Sequence, residues 1–229
     1  MRICFVSRGD LKSFREIYEG EPPCERIDAD VFIFGFNGMG EVCYEKELKG
    51  ETSFFEDAAL LSKQSKSVVV CGCLTDTRGH KRKSAVVAEN GRLAGVSDML
   101  NVIDGEAGSG AALRVYDTKA GRMGVIVADD LNFPGVIKAL AVCGSDFIVC
   151  PFERAADVQG VLLRAFAYCY GVPIFFCSDG SCMVADVSGN IAFASPQSPA
   201  RLEFESVKEY HLVETRRRGF YKAPKEERV

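Results

Sequence analysis

The residues able to do chemistry in this chain are ten cysteines, two histidines and a few clusters of acids and bases. The one tight cysteine pair is Cys71-Gly72-Cys73, and no Cys-x-x-Cys occurs, so zinc spacing is absent and no metal site is expected. Cys4, Cys71, Cys73, Cys150 and Cys177 lie inside apolar runs, where a free thiol packs as a small hydrophobe. Asp129-Asp130 has the form of a paired carboxylate site, although Asp in a turn commonly bonds backbone, and Asp130 is expected to do so. His80 and His211 show no spacing to a Ser, Cys or Asp that would make either a catalytic base. Two basic clusters, Arg78-Gly79-His80-Lys81-Arg82-Lys83 and Arg216-Arg217-Arg218, could meet phosphate or an acidic partner. A formal net charge of -4 favours a solvated loop and edge instead, and no nucleic-acid partner is expected.

The elements that would position these groups are short apolar runs rich in Val, Ile and Phe. Runs at 3–6, 31–34, 68–73, 85–88, 112–116, 124–128, 147–150, 173–177, 182–187 and 191–194 read as buried strands. Asn90-Gly91 marks one hairpin, and the turn after Ala185-Asp186 marks a second. Helical periodicity appears at 53–65, 134–142 and 158–170, the second with Pro134 at its start. Hairpins mixed with strand–helix alternation imply an α/β protein. A chain of 229 residues, 47% hydrophobic and 26% charged, can bury a large core without staples. No apolar run approaches a membrane span, and the first apolar stretch is too short for a signal peptide, so a reducing cytoplasmic location is expected.

The most informative stretch runs from Val115 through Gly121-Arg122-Met123-Gly124-Val125-Ile126-Val127-Ala128-Asp129-Asp130-Leu131-Asn132-Phe133-Pro134. It reads as a strand, a Gly turn, a second strand, then a polar turn opening a helix, a place where reactive side chains are often presented. This stretch resembles the nitrilase, or carbon–nitrogen hydrolase, superfamily, on Gly121, Arg122, Gly124, Val125, Asp130, Phe133 and Pro134. The resemblance continues in Leu140-Ala141-Val142-Cys143-Gly144-Ser145-Asp146, in Leu163-Arg164-Ala165, in the hairpin from Ser181 to Gly189, and in the segment from Glu214 to Tyr221. It implies one domain over 1–221, a charged tail over 222–229, and a four-layer α-β-β-α sandwich without a cofactor.

The superfamily works with a Cys nucleophile, a Glu base and a Lys that stabilises developing charge. Carried over by position, the Glu, Lys and Cys become Phe36, Asp98 and Ala128. Phe cannot accept a proton, Ala cannot attack, and Asp would repel an oxyanion. The resemblance therefore implies a protein that keeps the fold and has lost hydrolysis. Its pocket would be lined by Phe36, Asp98, Ala128, Asp129, Cys150 and Glu153, and would take a small, partly apolar, neutral or cationic ligand. The alternative is an active amidohydrolase with Cys150 as a relocated nucleophile and Glu153 or Asp129 as its base. The family pattern also implies a homodimer, with the helix at 158–170 and its Phe166, Tyr168 and Tyr170 as the interface element.

Overall fold

The computed structural model describes residues 1–19, 26–103 and 107–209. The expectations placed on His211, on Arg216, Arg217 and Arg218, on the segment from Glu214 to Tyr221 and on the tail at 222–229 lie outside the described residues. The elements are, in chain order, β1 (Arg2–Val6), α1 (Leu11–Glu19), β2 (Val31–Phe34), β3 (Glu41–Cys43), α2 (Tyr44–Lys49), α3 (Phe54–Ser65), β4 (Val68–Thr77), β5 (His80–Glu89), β6 (Arg92–Asp98), β7 (Val115–Thr118), β8 (Gly121–Val125), α4 (Pro134–Val142), β9 (Phe147–Pro151), α5 (Asp157–Tyr170), β10 (Ile174–Ser178), β11 (Ser181–Ala185), β12 (Ile191–Ser195) and β13 (Ala200–Glu203).

The strands form two sheets. One runs β13-β1-β2-β4-β5-β6, with β3 also paired to β4; the other runs β12-β11-β10-β9-β8-β7. In each, a parallel centre (β1-β2-β4 and β8-β9-β10) is flanked by antiparallel strands. The continuous apolar runs of the central strands follow from this, because both faces of each strand are covered. Alternation sorts their side chains into layers. Ile3, Phe5, Val31, Ile33, Val125, Phe147, Val149 and Phe175 meet between the sheets. Cys4, Val6, Phe32 and Phe34 face the other way, into a cluster with Leu11, Phe14 and Tyr18 of α1 and Ala58 and Leu61 of α3. Ile148, Cys150, Ile174 and Phe176 pack with Ile137 and Leu140 of α4 and Leu163 of α5. The order is helices, sheet, sheet, helices: the four-layer α-β-β-α sandwich.

Local chemistry explains where the helices start and stop. Asp10 precedes α1 and accepts from the Ser13 amide at 2.7 Å. The Glu47 carboxylate accepts from the amides of Phe54 and Phe55 at the start of α3, at 3.1 Å each. Pro134 opens α4, and Gly171, with φ of 63°, closes α5. Both hairpins form where expected. Asn90 and Gly91 take φ of 53° and 76° between β5 and β6, and the Asp186 carboxylate accepts from Ser188 and Asn190 in the turn between β11 and β12.

Three expectations are corrected, and one helix was not expected. The basic cluster from Arg78 is not a loop throughout: β5 begins at His80, so Lys81, Arg82 and Lys83 are strand residues. The strand expected at 124–128 ends at Val125, and Ala128 opens a 3-10 turn, Ala128–Asn132. The strand expected at 112–116 is displaced to Val115–Thr118. Helix α1, whose Leu11, Phe14 and Tyr18 are buried on one face, went unread because the stretch is short and polar overall.

The buried thiols make a prediction about pH. Burial pushes Cys4 and Cys73 up to about 12 and Cys182 up to about 11, and raises Cys71, Cys150 and Cys177 well above the ordinary value near 9. Their folded pKa values exceed the unfolded ones, so the stability they contribute is complete below the unfolded pKa and is lost as pH rises above it. Each thiol should lower unfolding free energy by about 1.4 kcal/mol per pH unit in that window. Urea melts should give a flat midpoint from pH 7 to 8 and a steep decline from pH 9 to 10.5; a midpoint unchanged across the alkaline range would contradict this burial.

Candidate functional site

The parallel strands of both sheets end at one edge, and the chain segments leaving β2, β8, β9 and β10 meet there. Crevices at the carboxyl ends of parallel strands are where α/β folds bind ligands. After β2 come Gly35 and a 3-10 turn, Phe36–Gly38. Phe36 is buried in the layer between the sheets, together with Ala128. The fit is close. A Cβ on Gly72 of β4 would come within 2.9 Å of the Phe36 ring and 3.1 Å of Pro151, and one on Gly35 within 3.3 Å of the Ser178 backbone. Only glycine allows the first sheet this approach to the ends of β9 and β10.

After β8 the chain turns sharply at Ala128, which is 1% exposed and has φ of 47°. A left-handed conformation costs a residue with a Cβ about 1–2 kcal/mol, and such strain collects at functional turns. What holds this turn is the next acid but one. Asp130, buried, accepts from the Leu100 amide at 3.0 and 3.1 Å and from the Asn101 amide and side-chain nitrogen at 2.9 Å each. Asp130 is therefore the backbone-bonded turn acid expected from the sequence, though its partners come from the segment after β6. Burial raises its pKa, against the pull of these donors.

Lys83 reaches across the two sheets at this edge. Its Nζ lies 2.8 Å from a Glu153 carboxylate oxygen and 3.7 Å from one of Asp129, with the lysine side chain 17% exposed. Lys83 on β5, Asp129 on the elbow turn and Glu153 after β9 thus form one ion cluster spanning both sheets. Two carboxylates on one ammonium leave a net negative charge. Beside it lies a cleft of about 360 Å³ lined by Phe36, Leu74, Glu41, Glu153, Arg154 and Asp179 among others. Along the chain Lys83 reads only as part of a basic run. The available signal was alternation: Lys83 shares a face with Ala85 and Val87, which pack between the sheets.

Two expected pocket residues are not there. Asp98 lies cross-strand from Ser84, on the face of β5 and β6 turned toward the helices, and accepts from the Ser84 hydroxyl at 2.7 Å. A register shift between Val87 and Ala88 is responsible. An unbroken hairpin from Asn90-Gly91 would set Asp98 opposite Lys83, on the cleft side; one extra residue turns it to the other side. Cys150 is also turned away. It is fully buried under α4 and α5, while its neighbour Val149 faces the layer between the sheets. Burial, and then the nearby Asp130 charge, raise its pKa well above the ordinary thiol value. Glu153 and Asp129 are thus at the cleft without the nucleophile they were expected to serve. Among the described residues no group of three or more His, Cys, Asp and Glu side chains converges as a metal site would, and the described cysteines are free thiols.

No protein-family profile matches the chain, and no curated protein does. Solved structures do. An amidase of the nitrilase superfamily from Nesterenkonia AN1, in a cysteine-to-alanine mutant, superposes with a TM-score of 0.72 at 16% identity, covering 97% of this chain and 96% of that one. A form of the same amidase with acrylamide added at its active site cysteine superposes with a TM-score of 0.74 at 15% identity, over 97% and 98%. Saccharomyces cerevisiae Nit3, of branch 10 of the nitrilase superfamily, superposes with a TM-score of 0.71 at 16% identity, over 99% and 96%. This protein has a nitrilase-like fold along essentially its whole length.

The orientation of Cys150 can be read by alkylation. In the native protein at pH 7.5, iodoacetamide should label the exposed Cys143 at least ~100-fold faster than Cys150, because the thiolate is the nucleophile and Cys150 is both enclosed and protonated. Cys150 should react only after denaturation. Native labelling of Cys150 at the rate of Cys143, followed by peptide mass spectrometry, would place it at the cleft instead.

Proposed function

We propose that this protein is a non-hydrolytic relative of the carbon–nitrogen hydrolases that uses the retained cleft to bind a small molecule. One observation carries the proposal: at the strained elbow after β8, where the motif resemblance expects the attacking sulfur, there is the methyl group of Ala128. Covalent catalysis needs a nucleophile within reach of a base. Phe36 occupies the expected base position and offers only an aromatic face. Lys83 is well placed to hold charge, but its two carboxylate neighbours already engage it. Loss of several members of such a group leaves little over background, because their effects are not independent.

The lining supports a ligand class. With the ion pairs at its edge counted, Glu41, Glu153, Asp179 and Asp129 exceed Arg154, Lys81 and Lys83 by one negative charge, and Phe36 and Leu74 supply apolar surface. A small amine with an aliphatic or aromatic body fits these walls, its ammonium near the carboxylates and its body against Phe36.

Ammonia release from butyramide, acetamide and simple nitriles should stay at background for the purified protein, and Cys150→Ser should change nothing. Turnover abolished by that one substitution would restore the alternative of an active amidohydrolase. In the binding arm, benzylamine should raise the melting temperature, and Glu153→Gln should weaken that effect at least ~5-fold; an unchanged response in the variant would remove the cleft reading.

We also infer that two copies pair through α5. Val158, Val161 and Tyr168 are 53%, 63% and 53% exposed among the described residues, and give this helix an apolar outer face. Phe166 and Tyr170, expected at the same interface, stack on each other and pack partly against the core beneath. Light scattering should give a dimer of twice 25.0 kDa, and Val161→Glu should return it to monomer. A monomer at 100 µM would refute the pairing.

A further inference from the structure

A second cavity, of about 610 Å³, lies outside the cleft, along α1 beside the edge strand β13. Its lining includes three arginines from three separate segments: Arg8 after β1, Arg26 before β2 and Arg201 on β13. Among the described residues no carboxylate forms an ion pair with any of them. The one acid in the lining, Asp10, is engaged: its two oxygens accept from the amide and hydroxyl of Ser13 at 2.7 and 2.8 Å. Three positive charges against one negative charge stand here in a chain whose formal net charge is -4.

The arginines are held from below. Arg8 is clamped by Ser198, whose hydroxyl accepts from the Arg8 amide at 2.9 Å and donates to the Arg8 carbonyl at 2.8 Å. Its guanidinium lies over Gly180, where a Cβ would come within 3.2 Å of it. Arg201 lies cross-strand from Cys4, which faces the α1 layer, so its side chain rises on the α1 side of the sheet. The opposite wall is apolar: Phe14, Ile17 and Tyr18 of α1, with Ile17 left 55% exposed. Three like charges at one cavity against a single carboxylate among the described residues repel each other, and a bound anion lowers that cost. Guanidinium forks match carboxylate and phosphate oxygens in pairs. The volume is that of a small-molecule site.

We propose that this cavity binds an organic anion, a carboxylate or a phosphate ester, with the charged end between Arg8, Arg26 and Arg201 and an apolar body against Phe14, Ile17 and Tyr18. The site is separate from the cleft and does not depend on how the cleft is used. Its charge preference is the opposite one, so the two sites should sort ligands by sign.

Isothermal titration of the full chain with benzoate, phenyl phosphate, inorganic phosphate and benzyl alcohol tests this. At least one of benzoate and phenyl phosphate should bind with one site per chain, and the tighter of the two identifies the headgroup. Benzyl alcohol, which lacks the charge, and inorganic phosphate, which lacks the ring, should each bind at least ~10-fold more weakly. Arg26→Gln and Arg201→Gln, both at exposed positions, should each weaken the anion at least ~5-fold, while the Glu153→Gln variant binds it as the native chain does. Raising salt from 50 to 500 mM should weaken binding in the native chain, a readout that needs no variant. No binding of either organic anion at millimolar concentration, an affinity indifferent to salt and to both arginine variants, or inorganic phosphate matching phenyl phosphate would each overturn the proposal.

Discussion

The structure depends on a close approach: two sheets share one apolar layer, and at its mouth their backbones nearly touch. Gly35 lies against the Ser178 backbone, and Gly72 lies under Phe36 and Pro151. Side chains at either glycine would push the sheets apart at the edge where their parallel strands end. Interiors are packed to crystal density, so such a displacement could not be absorbed locally. Phe36 fills this corner with a ring where a carboxylate would need water, donors or a cation beside it.

The elbow holds an unusual backbone geometry at a small apolar residue. Ala128 holds a left-handed backbone, and Asp130 ties the turn to Leu100 and Asn101 with a charge-assisted set of bonds. Those bonds explain how the strain persists: the surroundings over-determine the turn. The fold needs the turn regardless of chemistry, because it carries the chain from β8 into α4 over the end of the inter-sheet layer.

Charge across the mouth is organised by Lys83, which joins the first sheet to acids on two segments of the second. The neighbouring pairs, Lys81 with Glu41 at 2.9 Å and Arg82 with Asp98 at 3.9 Å, alternate between the two faces of β5. A basic run that looks uniform along the chain is thereby divided into cleft and outer-surface functions. The arginines around α1 are distributed differently. They come from distant segments, so no run in the sequence marks them.

The strands at Val31–Phe34 and Phe147–Pro151, the hairpins at Asn90-Gly91 and after Asp186, and the elbow before Pro134 were all legible as local patterns. So was the residue type at that elbow, an alanine at position 128. Which way a side chain faces was not. Asp98 and Cys150 looked like cleft residues and are turned to the helices, while Lys83 looked like surface and spans the cleft. A strand reverses its faces with every residue, so a single bulge between β5 and β6 exchanges inside for outside. Residue identity by itself determined that the chain forms an α/β fold and that an alanine, Ala128, stands at the elbow. Only the tertiary register decided which charges share the mouth of the sandwich and which arginines gather beside α1, because those distances are set by pairing between strands far apart in the chain.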